Sequence, residues 1–251
     1  MIIDIHAHLH FQPSTEQCTE NLLHIMEVYG IDKAYVSSVD GGYYPTEDIV
    51  RRNNAAVAEL IRKHPKRFGG AVYANPSNSD TLDVLKRGFE EQGMSLIKLW
   101  VSTPADDDRA GKVMEFAEDY GMPVVYHTFL KVERVIPTES TGINISKIAK
   151  RYPKTKIIMA HFGGSCYNAI PAIAECKNVW CDYAFSVFGG DAMDYTVEML
   201  GAERILYGSD MPGVSVPVNI GKILSANLSG EQRDMIFYKN SQKLLDRSFR
   251  L

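Results

Sequence analysis

The chain has 251 residues, 45% hydrophobic and 23% charged, with a formal net charge of −4. That balance suits a soluble globular protein and excludes a strongly basic footprint for nucleic acid or an anionic membrane. No apolar run is long enough to span a bilayer, no signal-peptide layout opens the chain, and the four cysteines (Cys18, Cys166, Cys176, Cys181) form no C-x-x-C pair, so they read as reduced thiols of a cytoplasmic protein.

Apolar, β-branched runs recur along the chain, beginning with IIDIHAH (2–8). The segment after it places Leu22, Leu23, Met26 and Tyr29 on one helical face, and Ser14 and Gln17 have capping-box spacing. Further strand-like runs follow: KAYVSS (33–38), FGGAVYA (68–74), LIKLWV (96–101), PVVYHT (123–128), KIIMAH (156–161), NVWCDYA (178–184) and RILYGSD, which ends at Asp210. Helical periodicity fills the gaps between them. EVYG (27–30), EEQG (90–93), EDYG (118–121) and EMLG (198–201) put a glycine where a helix needs a left-handed stop, and proline ends two other helices in KHPKRF (63–68) and KRYPKTK (150–156). A last helix is expected to start near Ser229, with Gln232 three residues on.

Eight alternating strand–helix units imply parallel pairing through right-handed crossovers. Eight is also the unit count of a (β/α)8 TIM barrel, and nothing is left over for a second domain, so a single barrel over 1–251 is expected. An open doubly wound sheet would carry a glycine-rich phosphate loop after an early strand. Gly41–Gly42 and Gly163–Gly164 lack that spacing and read as turn residues.

In such a barrel, reactive groups come from the C-terminal ends of the strands. His6 and His8 fall at the end of the first run, His127 at the end of the fifth, His161 at the end of the sixth, and Asp210 just past the eighth. Histidines two apart on a strand point the same way, so both can reach one ion. His6, His8, His127 and Asp210 supply imidazole nitrogens and a carboxylate for a divalent metal, zinc first and manganese second, with a position left for water. A lone histidine would read as a core residue bonded to backbone or to Asp4; the aligned set argues for a metal. Asp4 is expected to point inward as a supporting partner of these histidines, His10 to sit at the pocket rim, and His24 and His64 to be surface residues.

The pieces IDIHAH (3–8), IKLW (97–100), VVYHT (124–128), AHFGG (160–164), NVWCDYA (178–184), ILYGSDMP (205–212) and FYKNSQKLL (237–245) resemble the amidohydrolase superfamily. Within it, they resemble the amidohydrolase-related group that includes aminocarboxymuconate-semialdehyde decarboxylase. The resemblance implies that His6, His8, His127 and Asp210 are metal ligands and that His161 is catalytic, as a proton-transfer or polarising group. Asp210 would take a proton from metal-activated water and pass it on. Many amidohydrolases carry a carboxylated lysine where this chain has Lys98, bridging two metals and recruiting His127 and His161 to the second. The group most resembled more often holds one ion, which leaves Lys98 for a substrate carboxylate or for Asp210.

Lys98 and Trp100 are the expected substrate-binding residues. Tyr43, Tyr44, Phe129, Phe185 and Phe188 are further candidates for an apolar pocket, while Lys131 and Arg134 either receive an anionic substrate or stay solvated. The first functional expectation is a metal-dependent hydrolase of a small ester, lactone or amide. The alternative is a metal-dependent non-oxidative decarboxylase of an aromatic or unsaturated carboxylic acid. A non-enzymatic binding barrel would have lost a ligand, and every ligand position is filled. The partner expected is a small-molecule substrate, with no nucleic acid or membrane; a homodimer is the assembly to test for.

Overall fold

The computed structural model describes residues 1–185 and 189–246. Eight parallel strands stand in chain order: β1 (Ile3–His8), β2 (Lys33–Ser37), β3 (Phe68–Ala74), β4 (Leu96–Leu99), β5 (Val124–Tyr126), β6 (Ile157–Met159), β7 (Val179–Asp182) and β8 (Ile205–Leu206). The Ile5 and His8 amides donate to the Tyr207 and Met211 carbonyls, and the Asp210 amide donates back to the His6 carbonyl, so the last segment closes onto the first. This is the single-domain (β/α)8 barrel expected from the eight repeated units.

The helices form where the capping and periodicity signals place them. Helix α1 (Thr15–Val28) starts with the Gln17 amide donating to the Ser14 hydroxyl and buries Cys18, Leu22 and Met26. Between the strands follow α2 (Glu47–Lys63), α3 (Thr81–Glu90), α4 (Gly111–Tyr120), α5 (Gly142–Arg151), α6 (Cys166–Ile173) and α7 (Ala192–Leu200). After β8 come α8 (Val216–Ser225), α9 (Gly230–Asp234) and, beyond a π-helical turn, α10 (Asn240–Leu245). Ser229 and Gln232 cap α9 reciprocally. Gly121, at the end of α4, adopts φ 66°, the left-handed stop its position after EDY requires.

Two apolar layers hold the barrel. Inside it, Ile5, Leu96, Val125, Ile158, Trp180 and Leu206 fill the space between strands, with Leu244 of α10 packed against them. Outside, a larger layer including Leu22, Val57, Phe68, Tyr73, Leu99, Ile145 and Ile223 seats the helices. Among the described residues, no helix is long and apolar enough to cross a membrane.

The strands are shorter than the apolar runs suggest, and the difference sets the site. β5 ends at Tyr126, β6 at Met159 and β8 at Leu206, so His127, His161 and Asp210 stand beyond the ladders rather than within them. His161 and Asp210 adopt φ 63° and 60°, a region that non-glycine residues seldom occupy. Sharp turns there aim their side chains over the barrel mouth. Gly163 and Gly164 are more than turn residues: a Cβ on Gly164 would lie 2.6 Å from the Leu130 amide nitrogen, where the segment after β6 meets the loop after β5.

Candidate active site

His6 and His8 come from β1, whose alternation is broken by a register shift between Asp4 and Ala7. That irregularity changes the expected role of Asp4. Its carboxylate accepts from the Ser209 amide and hydroxyl and from the His6 amide, so it fastens β1 to the segment after β8 and does not touch an imidazole. Burial pushes the Asp4 carboxyl up to about 7 despite those bonds.

The partner of the His6 ring is Asp182, at the end of β7. His6 Nδ1 donates to Asp182 Oδ2 at 3.0 Å, and Asp182 Oδ1 accepts from the His161 and Ala184 amides. Burial alone would raise Asp182, but His6 and these donors outweigh it and hold the carboxyl at about 2. No expectation placed Asp182 in the site, although it is the one carboxylate ending the apolar run NVWCD.

Proton placement follows from these bonds. His6 Nδ1 donates to Asp182, which leaves its Nε2 to accept from Lys98 Nζ at 2.6 Å; His161 Nδ1 donates to the Ala184 carbonyl (2.8 Å), and its Nε2 lies 3.1 Å from His127 Nδ1. His8 Nδ1 lies 3.3 Å from the Ser37 carbonyl and 3.2 Å from its hydroxyl. Burial brings His8 down to about 4 and His161 to about 3, so both rings are neutral at pH 7. Asp210 Oδ1 is 3.0 Å from His8 Nε2 and 3.7 Å from His6 Nε2. Burial opposes ionisation of Asp210, but the hydrogen bond from His8 Nε2, together with the other imidazoles around it, holds the carboxyl well below the usual range.

Imidazole nitrogens converging on an ionised carboxylate are the donor set of a divalent cation. The ligand atoms of His6, His8 and Asp210 lie within 4.8 Å of one another, which fits such an ion. His6, His161 and Asp182 form a second such group, but both Asp182 oxygens are already engaged by N–H donors. His127 belongs to neither group. Its Nδ1 faces His161 Nε2 at 3.1 Å, and its Nε2 is 2.7 Å from Glu139 Oε1, a contact sequence reasoning missed because Glu139 sits deep in a long loop.

Lys98 is 1% exposed, with Nζ 2.6 Å from His6 Nε2. Burial lowers its amine to about 8 against the pull of Asp210 and Asp182. Lys98 and Trp100 both line a cavity of about 390 Å³ that also reaches His8, His127, His161 and Asp210, with walls from Phe129, Phe185, Val39 and Val214. Tyr43 stands outside this wall with its ring against Trp100, and the Tyr44 hydroxyl meets Thr138. Phe188 lies outside the described residues. His10 is at the rim as expected, where its Nδ1 donates to Asp40 at 2.8 Å. Lys131 also lines the cavity; the position of Arg134 is exposed and it does not.

The amidohydrolase family profile matches residues 3–247. The chain belongs to the amidohydrolase family. No curated protein matches it in sequence. Its fold is that of solved members: a dihydroxybenzoic acid decarboxylase from Polaromonas sp. JS666, with bound manganese and an inhibitor, superposes with TM-score 0.79 at 16% identity over 99% of this chain and 97% of that one. A 5-carboxyvanillate decarboxylase from Sphingomonas paucimobilis gives 0.76 at 16% over 97% and 98%. A 4-oxalomesaconate hydratase from Rhodopseudomonas palustris gives 0.76 at 18% over 99% and 96%. At these identities the likeness carries the amidohydrolase barrel, and the chemistry rests on the residues of this chain.

Two outcomes follow for this amidohydrolase. In Asp182→Asn, one amide N–H must face either His6 Nδ1–H or the two backbone donors, so His6 loses its fixed orientation. Metal affinity measured by Mn²⁺ titration is expected to fall about 10–100-fold. The metal-free protein is expected to lose thermal stability as pH falls from about 6.5 toward 4. His8 and His161 have folded pKa values below the unfolded one, so the unfolded chain binds more protons in that window. Asp4, raised in the folded state, acts in the opposite direction there, and the two imidazoles outweigh it. A melting temperature that is flat or rises on acidification would contradict this proton placement.

Proposed function

We propose that this amidohydrolase is a metal-dependent, non-oxidative decarboxylase of an aromatic or unsaturated carboxylic acid. The observation that carries the reading is the cavity's composition. Trp100, Phe129 and Phe185 line the same cavity as a buried lysine and a His/Asp cluster. A planar acid fits between such walls with its carboxylate directed at Lys98 and the cluster. Solved decarboxylases with the same barrel support the choice, and the manganese in one of them supports a divalent ion other than zinc alone. The hydrolase expected first from the sequence uses the same ligands and becomes the second reading.

His6, His8 and Asp210 would hold the ion, with His127 as the fourth ligand. When bound, the ion supplies a Lewis acid that fixes the acid's oxygens. Lys98 orients the carboxylate by charge. The apolar walls lower the local polarity around the carboxylate, which raises its energy relative to neutral CO2. Asp210 accepts a proton from a substrate hydroxyl or from water and returns it to the carbon that loses CO2. His161 Nε2 accepts a hydrogen bond from the substrate and holds it against Asp210. One proton is taken up for each CO2 released. We favour a single ion, because His161 then keeps this role instead of becoming a ligand.

The test is a substrate panel on Mn²⁺- and Zn²⁺-loaded protein: hydroxybenzoates and unsaturated diacids against lactones, esters and amides, scored for CO2 and for acid release. CO2 from the first set is the expected result. Acid release from the second set alone would restore the hydrolase.

A further inference from the structure

The loop between β5 and α5 has two unlike parts. Its tip is open to solvent, with Val132 95% exposed and Val135 64% exposed. Its stem is pinned. The Phe129 amide donates to the Ser140 carbonyl, Leu130 donates to the Gly163 carbonyl beyond β6, and the Ser140 hydroxyl accepts from the Ala105 amide. Glu139 sits on this stem with its side chain only 4% exposed. One oxygen, Oε1, receives both His127 Nε2 (2.7 Å) and Lys131 Nζ (2.8 Å). A carboxylate so enclosed needs donors, and it has found them on the histidine beside the cluster and on a lysine of its own loop.

We propose that Glu139 is a positioning residue for the metal centre. By holding the proton on His127 Nε2, it leaves Nδ1 as the ring's acceptor, facing His161 Nε2 at 3.1 Å, the reverse of the proton placement on His6. Lys131 completes the arrangement. It balances the Glu139 charge and ties the same oxygen to the start of the loop, so the stem and the His127 ring move as one body. The sequence offers no hint of this, because Glu139 is twelve positions from His127 and lies among loop residues. Metal affinity therefore depends on the stem and is indifferent to the tip. The inference rests on the reading of the cavity as a metal centre, but the proton placement can be measured without any metal.

The experiment is ¹⁵N NMR of the histidine rings in metal-free, ¹⁵N-histidine-labelled protein, with His127 assigned by its loss in His127→Gln. The expected spectrum shows His127 protonated at Nε2 and His6 protonated at Nδ1. His127 protonated at Nδ1 in the wild-type protein would overturn the proposal, and this needs no variant to fold. In Glu139→Ala, the His127 ring signals should show loss of the fixed Nε2–H form, and Mn²⁺ affinity should drop about 10–100-fold. Glu139→Gln keeps an oxygen that can accept both donors, so it should rescue both readouts, and Val132→Ser should change neither. Unchanged proton placement and Mn²⁺ affinity in Glu139→Ala would sink the proposal. Failure of the wild-type protein to bind Mn²⁺ would count against the metal reading, while the ring spectrum would still decide the role of Glu139.

Discussion

Asp210→Asn is expected to lower turnover by about 10²–10⁴-fold, the range for loss of a positioned proton-transfer group, and to weaken metal binding at the same time. The change is a clean one. Asp210 sits at φ 60°, a conformation asparagine also tolerates, and its amide and carbonyl stay engaged with His6 and Gly213. What disappears is the charge facing His8 and His6 and, on the proposed mechanism, the oxygen that would carry a proton to carbon. The paired measurement is kcat on the CO2-releasing substrate and Mn²⁺ affinity on the same preparation, with thermal melting as the check on folding. A folded variant with near-wild-type turnover would remove Asp210 from the chemistry.

His161→Asn is expected to cost about 10²–10³-fold in kcat, typical of losing a single preorganised polar contact to the reacting group, while the metal stays bound. Asparagine is the useful replacement because His161 lies at φ 63°, where alanine would add backbone strain. The two outcomes of the metal assay separate two architectures. Retained metal with lost turnover means that His161 works on the substrate beside one ion. Metal lost together with turnover means that His161 is itself a ligand, which would favour a two-ion site with Lys98 between the ions.

Much of this molecule can be read from its sequence because the signals are local and repeated. The left-handed glycine after EDY, the Ser229–Gln232 cap and eight apolar runs each report on a few neighbouring residues, and the barrel follows from their count. The convergence of His6, His8 and Asp210 is legible for the same reason, since strand ends in a closed barrel share one face.

The supporting residues are not local. Asp4 looks like the partner of His6 from strict alternation, but the register shift in β1 sends it to Ser209 and leaves the ring to Asp182, 176 positions away. Glu139 reaches His127 only through a loop whose path depends on the Leu130–Gly163 and Phe129–Ser140 contacts. Choosing between hydrolase and decarboxylase depends on cavity shape, which no motif encodes. Once Trp100, Phe129 and Phe185 are seen around Lys98, the order of the two readings reverses.

The central claim is that His6, His8, His127 and Asp210 hold a single divalent ion at the barrel mouth. Mn²⁺ titration of chelator-treated protein, followed by electron paramagnetic resonance, tests it most directly. A single tight ion per chain is predicted in the wild type, with that binding abolished in His6→Ala/His8→Ala. No tight ion in the wild type, or the same ion retained in the double variant, would contradict it.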